Sequence, residues 1–185
     1  MNENNYEVPE SQVPEGGGLG KDPSELVLAY LCCPQDAANA FLGALMITDY
    51  HTRPLHYSFV QPIRPTSYQK ILFGSMLEEH VKVDVISNRL LKDLPYVPDI
   101  LFVDSQELTN VRRICEIPTA FLAFDPNADH NPDRLTTLHY DAGHNQAHES
   151  FVGSVLASLE RYVDLVDPFT RMREALKEAI KSAEA

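Results

Sequence analysis

Asp104 stands where an apolar stretch of the chain ends. Residues 100–103, Ile-Leu-Phe-Val, have the continuous apolar character of a buried strand, and Asp104 follows them directly. A carboxylate at the end of such a strand can bind a divalent cation or act in acid–base catalysis. Asp104 or Ser105 can instead cap the helix that follows, by accepting hydrogen bonds from the amides of its first turn. The residue pattern favours the cap.

A second group of polar side chains lies between residues 139 and 148. Its members are His139, Asp141, His144 and His148. His144 and His148 are one helical turn apart and share a face, as ligands of zinc, nickel or iron would. The same two histidines also continue the apolar stripe of the following helix, which Asp141 can cap. Because spacing alone is a weak sign of a metal site, packing at the edge of the core is the favoured interpretation.

A third group combines basic and aromatic residues near the third predicted strand. Arg53, Arg64 and Lys70 could hold the phosphates of a single nucleic-acid strand. Tyr68 could stack on one of its bases. A half-exposed hairpin followed by a helix is the favoured alternative. The net charge of −12 opposes nucleic-acid binding by the surface as a whole, but it does not exclude a local basic groove.

The composition is that of one globular domain with extensions. The chain has 185 residues, of which 44% are hydrophobic and 23% charged, as in ordinary soluble proteins. Its three cysteines form neither a disulfide framework nor a zinc motif, so reduced and buried thiols in the cytoplasm are expected. No apolar run is long enough to span a membrane, and residues 1–10 lack a secretory signal pattern.

The predicted strands and helices alternate in a way that is typical of an α/β fold. Apolar runs predict strands at 24–33, 40–50, 54–63, 98–105 and 117–124. Helical periodicity predicts helices at 64–81, 83–94, 106–116, 144–165 and 169–185. In the first helix, which Thr66 or Ser67 can cap, one face is apolar and contains Ile71, Leu72, Met76 and Leu77.

The two ends of the chain differ from its middle. Residues 1–24 are polar, carry three prolines and contain the run GGGLG, so a flexible N-terminal tail is expected. Residues 25–166 form the predicted domain, and residues 167–185 form a C-terminal helix. That helix must pack its apolar stripe on the domain's own sheet or in the groove of a partner. The tail and this helix are therefore the expected docking elements for a protein partner. The stripe consists of Phe169, Met172, Leu176 and Ile180.

Four segments carry a family resemblance. They are PDILFVDSQELTNVRR, IPTAFLAF, AGHNQAHESFVGSVL and QPIRPTSYQKILFGSML. Together with the order of the elements, they resemble the ribonuclease-H-like superfamily and, within it, the endonuclease V pattern. The resemblance covers roughly residues 25–160. It implies a ribonuclease-H-like mixed sheet of about five strands flanked by helices, with a C-terminal helical extension.

The resemblance also implies a metal site. Enzymes of this kind cut phosphodiester bonds with metal ions held by clustered carboxylates. An acid is expected in the first strand, at the start of the first helix and at the end of strand four, with a polar group on the late helix. Asp104 matches the strand-four acid, and His144 matches the late-helix group. The first strand has no acid from Tyr30 to Cys32, and Gln69 stands at the helix position. Two of the three carboxylates are therefore missing.

These observations favour a catalytically degenerate nuclease-fold module. Such a module would act through protein or nucleic-acid contacts in a larger cytoplasmic assembly, without a cofactor, and would keep a residual polar site at Asp104 and His144. The alternative is an active endonuclease on DNA or RNA that uses Mg²⁺ and recruits other acids, such as Asp49 or Asp125. A second alternative is a small metal-binding enzyme that uses the group between residues 139 and 148. The sequence leans against enzymatic activity and does not decide the question.

Overall fold

The structure is a computed structural model that describes residues 21–122, 138–139, 146–159 and 163–184. At the centre of this described part lies a mixed sheet of six strands. The strand order across the described sheet is β3-β2-β1-β4-β5-β6. The strands are β1 (Leu28–Cys32), β2 (Phe41–Thr48), β3 (Pro54–Ile63), β4 (Ile100–Val103), β5 (Thr119–Leu122) and β6 (Leu138–His139).

The middle of the sheet is apolar on both faces. Every residue of β1, β2 and β4 is buried, as their nearly unbroken apolar sequences predict. β1 pairs antiparallel with β2, with Leu28 opposite Thr48, and parallel with β4, with Leu31 opposite Val103. β5 runs parallel to β4, and the short β6 runs antiparallel to β5. The parallel strands therefore end together at one edge of the sheet.

β3 forms an outer strand and returns antiparallel along β2. The turn between them depends on Asp49, whose carboxylate accepts hydrogen bonds from the backbone amides of His51 and Arg53, each at 2.9 Å. An aspartate that binds amides two and four residues ahead is a common way to close a turn. The predicted hairpin is confirmed, and Asp49 has a structural role in it.

The helical backbone between β3 and β4 is interrupted at Gly74, whereas the sequence predicts two helices that separate at residue 82. α1 (Ser67–Phe73) ends at Gly74, which has φ = 50°. After it the chain continues without leaving helical backbone as far as Leu90. Ser87 donates its hydroxyl to the carbonyl of Lys82 at 2.6 Å, which supports the wider π-helical turns. The remaining parts are a 3₁₀ turn (Gly74–Met76), α2 (Leu77–Glu79), a π-helix (His80–Ser87) and α3 (Asn88–Leu90).

Helices cover both faces of the sheet. On one face, the π-helix and a 3₁₀ helix (Gln106–Arg113) pack against the side chains that β1, β2 and β4 direct to that side. On the other face, α4 (Gln146–Leu159) and α5 (Asp167–Glu184) close a second core. The two cores together bury the sheet, which is the layered arrangement expected when helices flank a partly parallel sheet.

α5 packs on the domain's own sheet. Phe169, Met172 and Leu176 are fully buried in the core that α5 shares with β1, β2 and β4. The apolar stripe of α5 therefore packs on the domain's own sheet and not in the groove of a partner. At the opposite end of the chain, Lys21 donates to the buried Asp99 carboxylate at 2.6 Å, so the fold already holds the chain at residue 21.

The predicted fold class is confirmed. It is an α/β mixed sheet flanked by helices, with a C-terminal helix. The strand beyond the expected five is β6, which is two residues long. No helix among the described residues is long and apolar enough to cross a membrane.

The helical layer approaches the sheet closely at Gly43 of β2. A Cβ atom at this position would overlap the γ-methyl group of Ile86 on the π-helix. Because a β-branched side chain has few alternative rotamers, we expect Gly43→Ala to lower the free energy of unfolding by about 1–3 kcal/mol in urea titrations.

Gly153 in α4 provides the matched control for this substitution. A Cβ there meets nothing within 4 Å, so Gly153→Ala should stabilise the helix by up to about 1 kcal/mol. Equal effects of the two substitutions would contradict the close packing at Gly43.

Candidate functional site

Asp104 lies at the end of β4, on the face of the sheet that α5 covers. Its Oδ2 atom accepts a hydrogen bond from Nη2 of Arg173 on α5 at 2.6 Å. The Asp104 side chain is 8% exposed and the Arg173 side chain 38% exposed. The carboxylate is therefore almost enclosed, while the guanidinium keeps access to solvent.

The expected helix cap does not form at this place. Ser105, with an extended backbone, is the N-cap of the 3₁₀ helix, but its side chain makes no capping hydrogen bond. The first amide contact of that helix is from Leu108 to the Ser105 carbonyl, at 3.2 Å. The favoured sequence interpretation of Asp104 is thus wrong, because the carboxylate reaches across to α5 instead of forward along its own chain.

The neighbours of Asp104 on β1 are not acids. Leu31 lies opposite Val103, so the next residue, Cys32, is level with Asp104. Burial, and then the charge of Asp104, raise the pKa of the Cys32 thiol well above its usual range. The thiol is consequently neutral near pH 7, at the position where the family resemblance expects a carboxylate.

Tyr30 fills the space beneath this site. Its ring lies 5.2 Å from Phe102 and 5.4 Å from Phe169, measured between centroids, in a fully buried aromatic cluster. Its hydroxyl has no hydrogen-bond partner among the described residues. Burial raises the pKa of Tyr30 far above the usual tyrosine value, so the group remains protonated. The floor of the site is therefore apolar and lacks an ionised group.

Gln69 stabilises the start of α1. Its backbone amide donates to the Thr66 hydroxyl at 3.2 Å, and its side-chain oxygen accepts from the Thr66 amide at 2.9 Å. This reciprocal pair is a capping box, and it confirms Thr66 as the helix cap. Gln69, which stands where the family resemblance places an acid, thus has a structural role as part of the helix cap.

Burial is the main influence on the Asp104 carboxyl. It raises the pKa of Asp104, whereas the hydrogen bond and the charge of Arg173 lower it and offset part of the effect. The Asp104 carboxylate already accepts a hydrogen bond from the Arg173 guanidinium, and one carboxylate offers few oxygen atoms to a metal ion. In the part of the chain that the structure describes, no three or more His, Cys, Asp or Glu side chains form a group that could hold a metal ion.

The polar group between residues 139 and 148 is only partly described. His139 lies in β6, opposite Phe121, and His148 lies in α4. Asp141 and His144 are outside the described residues, as is Asp125. The predicted metal site and the pairing of Asp104 with His144 therefore remain predictions.

The predicted nucleic-acid group is divided between the two ends of β3. Arg53 precedes the strand, and Arg64, Tyr68 and Lys70 follow it. Ten residues of strand, at about 3.3 Å each, separate the ends by about 30 Å. Arg64 also approaches Asp36, with 3.8 Å between the charged atoms. The structure brings together the three residues near α1 and places Arg53 far from them.

Lys82 is a buried basic residue that the sequence reasoning missed. Its ammonium binds Glu78 on α2 and, at 3.0 Å, Glu107 on the 3₁₀ helix. Burial alone would lower the pKa of Lys82, but hydrogen bonds and charges from both glutamates raise it above the usual value. This contact joins the two helical pieces on one face of the sheet. The spacing of four residues between Glu78 and Lys82 was the available signal.

α1 carries an apolar surface that nothing in the described structure covers. This surface is called the α1 face, and each of its side chains is mostly exposed. α1 itself has no buried residue. The apolar face that the sequence predicts for this helix thus points to solvent, apart from the half-buried Leu77. The α1 face consists of Tyr68 (69% exposed), Ile71 (81%), Leu72 (62%) and Met76 (59%).

Comparisons with known proteins give likeness of fold alone. No family model and no curated protein matches the chain. Among solved structures it is similar to endonuclease V of Ciona intestinalis in complex with a 23mer DNA, at 9% identity and a TM-score of 0.38, covering 54% of this chain and 46% of the other. A complex of the same enzyme with a 24mer DNA gives 9% identity, a TM-score of 0.31, and coverages of 72% and 56%. The chain thus spans about half the length of these proteins.

The raised pKa of Asp104 predicts a pH dependence of stability. Because the folded state favours the protonated carboxyl, its contribution to stability is greatest below the ordinary aspartate pKa. The contribution decreases as pH rises through the raised value. We expect Arg173→Gln to shift the Asp104 titration to higher pH, since it removes the charge that lowers this pKa. Carbon-detected NMR of the carboxyl measures the shift.

Arg171 on the same helix is the matched control. It binds Asp167 at 2.7 Å and the Thr52 carbonyl at 2.9 Å, and it makes no contact with Asp104. Arg171→Gln should leave the Asp104 titration unchanged. An unchanged titration in Arg173→Gln as well would contradict the ion pair.

Proposed function

We propose that this chain is a catalytically degenerate module with a nuclease-like fold, which acts through contact with another macromolecule in an assembly. The observation that carries the proposal is the ion pair between Asp104 and Arg173, at 2.6 Å. In the enzymes that the sequence resembles, the acid at this strand end holds a catalytic metal ion. Here the guanidinium supplies the positive charge that the carboxylate needs.

The residues around Asp104 do not fit a magnesium ion. Such a cation is held by oxygen ligands, commonly one or two carboxylates together with water and phosphate. Cys32, level with Asp104, has a neutral thiol, and sulfur is a poor ligand for a hard cation. Gln69 uses its side-chain oxygen in the capping box of α1. Among the residues that the structure describes around this site, one carboxylate is left, and it is already paired with arginine.

The surroundings of the ion pair also oppose hydrolysis. Hydrolysis needs a water molecule positioned beside a metal ion or a base. Asp104 is nearly enclosed, and the side chains beneath it are the aromatic rings of Tyr30, Phe102 and Phe169. This packing supports a structural role for the pair, in which it fastens α5 to the end of β4.

The α1 face supports a function based on contact. Tyr68, Ile71 and Leu72 are large apolar side chains exposed on one short helix, and exposed apolar groups of this kind often mark interaction sites. Nucleic-acid sites are strongly basic, whereas this chain has a net charge of −12, and the α1 face itself is apolar. A protein surface is therefore the better match for the α1 face than a nucleic acid.

A cleavage assay tests the proposal. The full chain is incubated with single- and double-stranded DNA and RNA, each with Mg²⁺ or Mn²⁺, beside Asp104→Ala and Arg173→Gln. We expect no cleavage above the buffer control in any of the three proteins, because no metal is held at Asp104. Cleavage by the wild type that is absent from a folded Asp104→Ala variant would overturn the proposal.

A further inference from the structure

A cavity of about 390 Å³, here called the β3 cavity, lies between the outer strand β3 and the chain that follows α3. Its wall includes Val60 and Leu90, which are buried in the adjoining core. His56 and Ser58 line it from β3, where each lies opposite a core residue of β2. The β3 cavity thus combines an apolar wall with polar groups along one strand.

The charged groups of the β3 cavity are mainly basic. Arg89 and Lys92 both line it, and both are exposed. Neither side chain makes an ion pair or a hydrogen bond with another residue that the structure describes. Asp93, which has φ = 55°, is the single acid among the lining residues. Two cations against one acid favour an anionic occupant, in a chain whose net charge is −12.

We propose that residues 6–15 of this chain dock in the β3 cavity, with their carboxylates on Arg89 and Lys92. The inference goes beyond the contact function proposed above and does not depend on it. Because the segment belongs to the same chain, its effective concentration at the cavity is high, and no external partner is needed. Residues 1–20, which lie outside the described residues, contain no lysine or arginine and four glutamates: Glu3, Glu7, Glu10 and Glu15.

The first described residue lies within reach of the cavity. Lys21 donates to the Asp99 carboxylate at 2.6 Å, which fixes the point from which the preceding chain starts. Pro95, a lining residue, comes four positions before Asp99, so their Cα atoms are at most about 14 Å apart. The segment from Glu10 to Lys21 can extend over up to about 36 Å. The chain is therefore long enough to bring Glu10 into the β3 cavity.

The shape of the β3 cavity suits an extended segment. β3 ends the described sheet, and among the described residues no strand pairs with its outer edge. Such an edge can bind an extended peptide through backbone hydrogen bonds, while alternate side chains enter adjacent pockets. In an extended backbone Tyr6, Val8 and Glu10 share one side, so two apolar groups and one acid would face the cavity. Pro9, which has no amide hydrogen, is tolerated in an edge strand.

Carbodiimide cross-linking of the full chain tests the proposal. The reagent couples a carboxylate to an amine in contact with it, and mass spectrometry identifies the linked peptides. We expect Lys92 to be linked to Glu7, Glu10 or Glu15 at least tenfold more often than the matched control Lys177. Lys177 is exposed and lies on α5, outside the β3 cavity. Equal linkage of the two lysines to these glutamates would overturn the proposal.

Isotope labelling distinguishes docking within one chain from docking between copies. A mixture of ¹⁵N-labelled and unlabelled chains is cross-linked in the same way. We expect each link between Lys92 and the N-terminal glutamates to join peptides of one isotope only. Links that join labelled to unlabelled peptides in statistical proportion would make a second copy the source of the segment and would overturn the proposal.

Cleavage by a glutamate-specific protease gives an independent measurement. At low salt we expect cleavage after Glu7 and Glu10 to be at least threefold faster in Arg89→Glu and in Lys92→Glu than in the wild type. The reason is that reversed charge at the cavity releases the segment. Lys177→Glu should be cleaved like the wild type, and salt should accelerate cleavage of the wild type most. Urea unfolding checks that each variant is folded. Equal rates in all four proteins would contradict docking on these cations.

Discussion

The ion pair between Asp104 and Arg173 joins the last helix to the end of the central sheet. Two further contacts hold α5 at other points, since Arg171 donates to the Thr52 carbonyl at 2.9 Å and the Tyr57 hydroxyl donates to the Met172 carbonyl at 3.3 Å. Between these contacts the apolar stripe of α5 closes one of the two cores. Removing one partner would leave a nearly enclosed charge uncompensated, which is the costly way to break such a pair.

This constraint links the fold to the proposed function. The end of β4 is covered by α5, which brings Arg173 to Asp104 and packs Phe169 against Tyr30. In the proposed function, this ion pair takes the place of a metal ion at Asp104. The α1 face is exposed to solvent, and this is why contact replaces catalysis in our proposal.

Much of the fold could be predicted from sequence, because buried strands and amphipathic helices leave a periodic apolar pattern. The hairpin of β2 and β3, the parallel strands and the Thr66 cap follow from local signals. The partner of Asp104 does not, since Arg173 lies 69 residues away and no local pattern connects them. The exposure of the α1 face could not be predicted from sequence either, because an apolar stripe indicates that a helix packs but not on which molecule.

Calorimetric titration with Mg²⁺ and then Mn²⁺ tests the central claim most directly. The wild type, Asp104→Ala and Arg173→Gln are compared at neutral pH, after their folding has been checked by urea unfolding. We expect no saturable binding that depends on Asp104, either in the wild type or when the guanidinium is removed, because one carboxylate beside a neutral thiol makes a poor site. Saturable binding by the wild type that disappears in Asp104→Ala would contradict it.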